Sequence, residues 1–562
     1  MKAWSFSILV ICFFVNGYLS GQSSLYPRNE KVLHLLDRYD IIYEIDHNFH
    51  SAVQQYYRRD IADIATQIQD DYGDPSTYYL LNDNDEFRQK WNYYSTQRQG
   101  IFNTFYKTES TFWEVESDNF LIKINPVIHL SGGNTSRGDN PVFQNTRGID
   151  IRGSIDDRVY FYSSIFENQR RFLPHIENRI STTKAIPGNG FFKPYDSAVN
   201  DGLNGWDYLN AEAYVGFQIS ESVGVEFGHG KHFIGHGYHS LLLGDYAHNY
   251  FYLKFNTKFW KLQYQNIFAE LSAFGSKDNV SNTLLPKKYM AAHYLDYNIT
   301  DNFSIGLFET IIFNRINHFE FQYLNPVILY RSVEQLLDSP DNVLIGMTSR
   351  LNLLARFQLY GQFMLDELVI GELFSGSGWW GNKYGIQIGA KYVDVLNIPH
   401  LDLQVEYNIV RPYTYAHRGD LAALPEFSPA SYSHYNQPLA HPLGANFREL
   451  LAIIRYQPIE RLSTNLFLFS TSYGEDIDDE NQGGNILRSY ESRLNDFNNT
   501  IAQGLVTRIT QYRLELSYQV FHNAYIDLDL IRRVQSNASR NSNYNYVGAG
   551  LRLNIARQRL DY

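Results

Sequence analysis

The chain is almost without cysteine: of its 562 residues only Cys12 is one, and it stands in a segment expected to be removed. A mature chain lacking thiols forms neither a disulfide framework nor a thiolate metal site. Beyond that first segment no stretch approaches the roughly 18 consecutive apolar residues that a transmembrane helix needs. If the chain crosses a membrane it must do so as a closed barrel, the other architecture that satisfies every backbone polar group in lipid. Positive charge is also in short supply, with 48 Lys and Arg against 60 Asp and Glu and a net charge of −12. A surface of that sign is not drawn to nucleic acid. There is no Ser nucleophile elbow, no P-loop and no pair of carboxylates in a recognisable catalytic spacing, and Gly228-His229-Gly230-Lys231-His232-Phe233 lacks the third glycine of a dinucleotide loop. We therefore expect no enzymatic activity and no cofactor.

What is present begins with a leader. One Lys, an apolar run from Phe6 to Val15 and small residues at Gly17, Ser20 and Gly21 form a secretory signal over residues 1–21, with cleavage expected near Gly21–Gln22. Leu9-Val10-Ile11-Cys12 has the outline of a lipoprotein box, but Ile11 is too large for the position before the Cys. Losing the leader removes one Lys and no acid, moving the net charge from −12 to −13. The chain holds 44 Tyr, 37 Phe and 38 Gly, a composition suited to strands and aromatic girdles rather than to helices.

The pattern along the chain agrees. In Leu401–Ile409 the residues Leu401, Leu403, Val405, Tyr407 and Ile409 fall on one face and Asp402, Gln404, Glu406 and Asn408 on the other, one face for lipid and one for water. Tyr512–Val520 repeats this, and so do Ile526, Leu528 and Leu530 against Asp527 and Asp529. Eighteen such strands are predicted, near 120–130, 146–155, 158–168, 207–219, 223–229, 249–258, 260–271, 289–299, 303–313, 343–352, 356–367, 383–394, 401–410, 447–457, 462–473, 506–520, 524–534 and 544–555. Tight turns such as Asp156-Asp157, Thr300-Asp301-Asn302 and Phe521-His522-Asn523 alternate with long polar loops, among them 169–206, 411–446 and 474–505. The expected fold is all-β: an antiparallel transmembrane barrel of about 18 strands over 116–562, in the outer membrane, with tight turns in the periplasm, long loops outside and both chain ends inside.

Residues 22–115 read differently. Lys31–Asp40, Ser51–Asp70 and Glu86–Tyr106 carry helical spacing, as in Val53, Tyr57, Ile61, Ile64 and Ile68, and Asp74-Pro75-Ser76 breaks the pattern. This small helical region precedes the first strand and is expected on the periplasmic side, either as a plug or as an appendage.

The stretch Val225-Glu226-Phe227-Gly228-His229-Gly230-Lys231-His232-Phe233-Ile234-Gly235-His236-Gly237, followed by Ser240-Leu241-Leu242-Leu243-Gly244-Asp245-Tyr246-Ala247, resembles a strand-loop segment of the capsule-assembly Wzi family of outer-membrane proteins. The nearest likeness is to gliding-motility proteins of the RemB type from Bacteroidota. The resemblance implies a surface protein that binds or organises exported polysaccharide, with outer-membrane lipid, polysaccharide and envelope or gliding proteins as partners and no catalytic residues. A porin passing small solutes is the alternative.

Three groups of residues invite chemistry. His229, His232, His236 and His239 could converge on a metal ion, yet the glycines around them disfavour a helix and no carboxylate stands among them. We expect a tight loop folding back into the lumen, its glycines (Gly228, Gly235 and Gly237) allowing close backbone approach and its basic residues (His229, Lys231 and His232) hydrogen-bonded to the wall. Glu475-Asp476-Ile477-Asp478-Asp479-Glu480 has the carboxylate density of a calcium loop but not EF-hand spacing. Trp379 and Trp380 in one predicted outward loop, and Tyr413, Tyr415, His417 and Arg418 opening another, combine flat aromatic faces with donors to hydroxyls. That mixture suits a glycan surface, and equally suits a membrane-interface girdle.

Overall fold

Period-two alternation is realised as a closed wall. The computed structural model describes residues 24–560 apart from 46–48, 85–107, 118, 139, 157, 198–202, 275–284, 316–319, 328, 338, 340 and 420–426; the expected leader and the expected helix over 86–106 lie outside the described residues. The strands are β1 (Phe120–Thr135), β2 (Val142–Ile155), β3 (Val159–Arg171), β4 (Asn204–Ser220), β5 (Val223–Gly230), β6 (Tyr250–Phe259), β7 (Leu262–Ser272), β8 (Lys287–Thr300), β9 (Phe303–Phe313), β10 (Asn342–Leu353), β11 (Phe357–Glu367), β12 (Lys383–Tyr392), β13 (Leu401–Val410), β14 (Phe447–Ile459), β15 (Leu462–Glu475), β16 (Leu505–Phe521), β17 (Ala524–Ser536) and β18 (Asn541–Leu553). Each pairs antiparallel with its sequence neighbours, and β18 closes on β1 from Ile128↔Leu553 to Thr135↔Tyr546. The closed wall leaves no long open edge to recruit another chain; two short strands, Trp113–Ser117 and Lys193–Asp196, add onto β1 and β4. Several strands outrun the alternation: β1 continues through Ser131, Gly132, Gly133 and Asn134, and β4 begins at Asn204. Ladder hydrogen bonds persist beyond the apolar band, where side-chain alternation fades.

The register of β13 is the one its sequence dictates. Asp402, Gln404, Glu406 and Asn408 are buried on the lumen side, and Leu403, Val405, Tyr407 and Ile409 face outward. Tight turns at one mouth use the primed geometry that matches strand twist, with Leu354 and Ala355 at φ 57° and 51°. Exposed Phe120, Phe259, Trp260 and Phe521 ring that mouth, an aromatic girdle.

The lumen is filled. At the tight-turn mouth the N-terminal segment forms α1 (Glu30–Tyr43), α2 (Arg58–Tyr72) and α3 (Thr77–Asn84), packed on one another through Leu35, Leu36, Tyr39, Ile61, Ala65, Ile68, Leu80 and Leu81. Asn29 caps α1 by accepting from Lys31 N at 2.9 Å, and Gly73 ends α2 at φ 66°. The helix expected over 51–70 starts only at Arg58. Residues before it are extended, with Val53 bridged to Ile234 and Leu25 to Tyr57, because pairing Val53 inside the lumen core outweighs its local spacing. Helix α3 carried no helical signal of its own; the Asp74 carboxylate starts it by accepting from Ser76 N at 2.9 Å.

Charge fixes α1 to the wall. Arg38 pairs with Asp402 and, at 3.0 Å, with Asp394; His34 reaches Asp402 at 2.7 Å; Asp37 pairs with Lys391 at 2.7 Å; and Asp40 pairs with the fully buried Arg350. Breaking such a buried pair by removing one partner costs about 3–5 kcal/mol. The helical region therefore sits inside the mouth as part of a plug.

Candidate functional site

The glycine-histidine segment supplies the centre of the plug. After β5 the chain turns into the lumen, where Ile234, Leu241, Leu242 and Leu243 are buried against Ala52, Tyr294, Phe308, Ile312, Leu344 and Met364. Its glycines are there for space. A Cβ on Gly235, whose φ is 139°, would lie 2.0 Å from Gln362 Nε2, and one on Gly237 would lie 2.4 Å from Glu406 Oε2. Gly228 stands equally close to Tyr214 and the Ala213 carbonyl. Glu406 receives the amides of Tyr238 at 2.7 Å and His239 at 3.2 Å. Thus the stretch that carries the family likeness packs the barrel, as the glycine reading expects.

The four histidines do not converge. His229 Nδ1 meets the Ala211 carbonyl at 3.0 Å, His232 the Tyr250 hydroxyl at 3.1 Å and His236 the Ser51 hydroxyl at 3.3 Å, while Lys231 donates to the Gly188 carbonyl at 3.1 Å. A different group does assemble: His239, His441 and Glu449 come from the lumen loop, the 411–446 loop and β14. His441 Nδ1 accepts from Leu443 N at 3.2 Å, so its Nε2 carries the proton toward Glu449 Oε2 at 3.0 Å. That tautomer ties the 411–446 loop to β14 through the His441–Glu449 bond, with His239 Nε2 3.6 Å from the same carboxylate. Residues so far apart in sequence gave no signal of the meeting.

Burial holds His232, His236, His239 and His434 well below the ordinary imidazole value. Released from the plug, each titrates near about 6.5. The packed state then binds fewer protons than the released one below that pH, so its stability falls as pH drops through about 6.5 and is unaffected above it. Hydrogen exchange of residues 232–247, corrected for intrinsic rates, is expected to show protection lost between about pH 6.5 and 5. Protection that stays constant over that range contradicts the assignment.

Of the two predicted glycan loops, 411–446 is largely turned inward. Residues 412–416 and 428–446 are buried almost throughout. Tyr415 donates to the Leu241 carbonyl at 2.6 Å and stacks on Tyr432 at 5.7 Å, and Tyr413 donates to the Asn481 carbonyl at 2.9 Å. Neither ring offers a face to a ligand: Tyr413 is 1% and Tyr415 0% exposed. The outward expectation fails there because a tyrosine whose hydroxyl finds a partner packs as readily as it stacks on sugar.

Trp379, Trp380 and His417 stay half-buried at the long-loop mouth, and Arg418 is exposed. Loop 476–504 joins them. Tyr490 lies 4.9 Å from Trp380 and 5.7 Å from His417, and the Arg493 guanidinium sits 4.2 Å over Trp380. Backbone bonds knit the loops into one cap: Trp380 N to Asp496 O at 2.9 Å, Asn499 N to Gly378 O at 2.9 Å and Tyr413 N to Gly483 O at 2.9 Å. In the acidic stretch Asp476 pairs with Arg488 at 2.9 Å, Glu475 accepts from Thr507 at 2.6 Å, and Asp478 and Asp479 form a turn at φ 49° and 64°.

Beside the plug a cavity of about 360 Å³ remains, lined in part by Arg28, Lys231, Asp245, Arg552 and Arg559. Arg28 reaches Asp245 at 2.7 Å, and Arg559 pairs with the same carboxylate. Burial alone would raise the Asp245 carboxyl, but the two guanidiniums hold it well below the ordinary carboxylate range. Arg559 belongs to a tail that re-enters the lumen after β18. Its Leu560 packs on Phe172 and on Ile176 and Ile180 of α4 (Pro174–Thr183), in the loop after β3 at the opposite mouth.

No family model matches the chain, and no curated protein matches its sequence. Among solved structures it is similar to Wzi of Escherichia coli, an outer membrane protein involved in group 1 capsule assembly and described as a carbohydrate-binding β-barrel; the TM-score is 0.54 at 11% identity, over 95% of this chain and 100% of that one. OprD of Pseudomonas aeruginosa is matched at a TM-score of 0.42 and 10% identity, over 77% of this chain and 94% of the other. The chain is an eighteen-stranded barrel of the outer membrane, with a fold like that of Wzi.

Proposed function

We propose that the protein binds or organises exported polysaccharide at the cell surface, with its tight-turn mouth and N-terminal helices on the periplasmic side and its cap of loops outside. The observation that carries this reading is the cap itself, where Trp379, Trp380, Tyr490, His417, Arg418 and Arg493 gather aromatic surface and cationic donors. Such a surface stacks on sugar rings and bonds their hydroxyls or carboxylates. The filled lumen favours this over a solute-passing porin, and the likeness to a carbohydrate-binding barrel supports it. A role in capsule assembly, or in gliding and adhesion as the RemB-type resemblance implies, follows from the same activity.

Binding of purified wild-type protein to a glycan array, and to polysaccharide recovered from its own cells, tests the reading. Trp379→Ala with Trp380→Ala is expected to weaken that binding at least about tenfold, the usual consequence of truncating aromatic anchors, while leaving the barrel inserted. Tyr415→Ala should instead lower stability, since its ring packs and its hydroxyl holds the lumen loop. Undiminished binding by the tryptophan variant moves the site elsewhere. If the wild type binds no glycan and its loss alters neither surface polysaccharide nor spreading, the porin reading takes its place.

A further inference from the structure

Between β9 and β10 the described residues lie against the outside of the barrel rather than rising from its rim. Strand parity establishes which side it covers. In β8, Met290, Ala292 and Tyr294 join the lumen core, as do Phe308 and Ile312 of β9, so Ala291, His293, Glu309 and Ile311 point away from the lumen. Cross-strand register sets Asn266, His293 and Glu309 side by side in one row on that outer face, with Phe268, Ala291, Ile311 and Val343 in the row beside it. An amide, an imidazole and a carboxylate in mid-wall facing hydrocarbon would be costly.

They do not face it. Residues 320–327 and 329–337, with a single 3₁₀ turn at Phe321–Leu324 and α5 (Tyr330–Leu337), lie across them. The backbone amides of Tyr330 and Arg331 donate to the two oxygens of Glu309 at 3.0 and 3.2 Å. The Pro326 carbonyl accepts from Asn266 at 3.1 Å and from the Tyr264 hydroxyl. The Tyr330 ring lies 4.0 Å from that of His293. Below them Tyr323, Tyr330 and Val333 pack on Phe268, Ala291, Ile311 and Phe313, and the root is clamped where Arg315 grips both oxygens of Asp341 at 2.7 Å each.

The opposite side of this flap carries large apolar side chains among exposed Gln322, Asn325, Arg331, Ser332 and Gln335. Phe321, Val327, Leu329 and Leu336 are 79%, 81%, 66% and 78% exposed, and the surface runs on into exposed Ile345 and Met347 on the outer face of β10. Four large apolar side chains turned to water would be an aggregation liability, whereas the wall they continue is already the lipid-facing surface. We infer that the flap is embedded in the membrane leaflet on the long-loop side: it screens the Asn266–His293–Glu309 row, and Phe321, Val327 and Leu329 contact lipid acyl chains.

A mature chain expected to lack cysteine makes the test direct. Val327→Cys and Phe321→Cys, labelled with a small fluorophore and reconstituted in phosphatidylcholine vesicles, are compared with Ile388→Cys on the outer face of β12 and Leu494→Cys in the cap. Quenching by brominated phosphatidylcholine close to that of Ile388, with iodide quenching equally low, is the expected result. Quenching profiles closer to those of Leu494 overturn the inference and make the flap a water-exposed loop. Should either variant fail to show the heat-modifiable migration of an assembled barrel, Leu329→Cys is read in its place on the same criterion.

Discussion

Deleting residues 24–84 alone is expected to leave single-channel conductance in a planar bilayer low, whereas the same deletion combined with a short Gly-Ser linker in place of residues 232–247 opens the barrel to large, stepwise currents. The N-terminal helices close only the tight-turn mouth. Leu241, Leu242 and Leu243 hold the middle of the lumen, with Tyr415, Tyr432, Leu439 and Ala440 packed on them from the other side. Large currents are therefore expected only once that apolar centre is removed. Porin-like conductance from the first deletion by itself would show that the helices are the sole stopper. Bilayer recordings separate the two cases, and permeability of intact cells to a large antibiotic should follow them.

The second large effect concerns the wall. Val405→Arg places a guanidinium on the lipid side of β13 and is expected to cost about 2–4 kcal/mol near the midplane, read as a loss of heat-modifiable migration or of folding into vesicles. Gln404→Glu, one residue away, should cost less, because it keeps the acceptor that the Arg455 guanidinium meets at 3.0 Å and gives up only the amide's bond to the Tyr360 hydroxyl at 2.9 Å. The neighbouring position makes a stringent comparison: a slip of one residue in register exchanges the two outcomes. Equal costs at 404 and 405 would remove the assigned register.

These two experiments also mark what could be read in the chain beforehand. The strands were legible because period-two alternation is imposed locally by lipid on one side and polar contacts on the other, so Leu403, Val405 and Tyr407 reported their own positions. The fate of the loops was not. Tyr413, Tyr415 and Tyr432 look the same whether they meet a sugar or the Leu241–Leu243 backbone, and only the three-dimensional closeness of that backbone decides. Nor did polarity on the inner face mean water: Asp402 and Arg350 are buried because α1 brings Arg38 and Asp40 to them. The glycines at 235 and 237 were informative for the opposite reason, since absence of a side chain marks close approach whatever the partner. Helix α3 went unread and residues 53–57 were read as helix because their conformation is set by tertiary neighbours rather than by their own pattern. The flap over β7–β9 was invisible, as outward Glu309 and His293 read as breaks in the alternation instead of as docking points.

The tail beyond β18 bears on how the contents of the lumen are held together. The last strand ends at the tight-turn mouth, but residues 554–560, which can span at most about 23 Å at roughly 3.3 Å each, turn back inside the wall to reach α4. Both the first described residues and Leu560 are thus enclosed by a cylinder that is itself sealed by pairing β18 with β1. The first described residues and the tail thereby share one carboxylate, Asp245, held by Arg28 from one side and Arg559 from the other, so the two ends lock each other inside the closed wall.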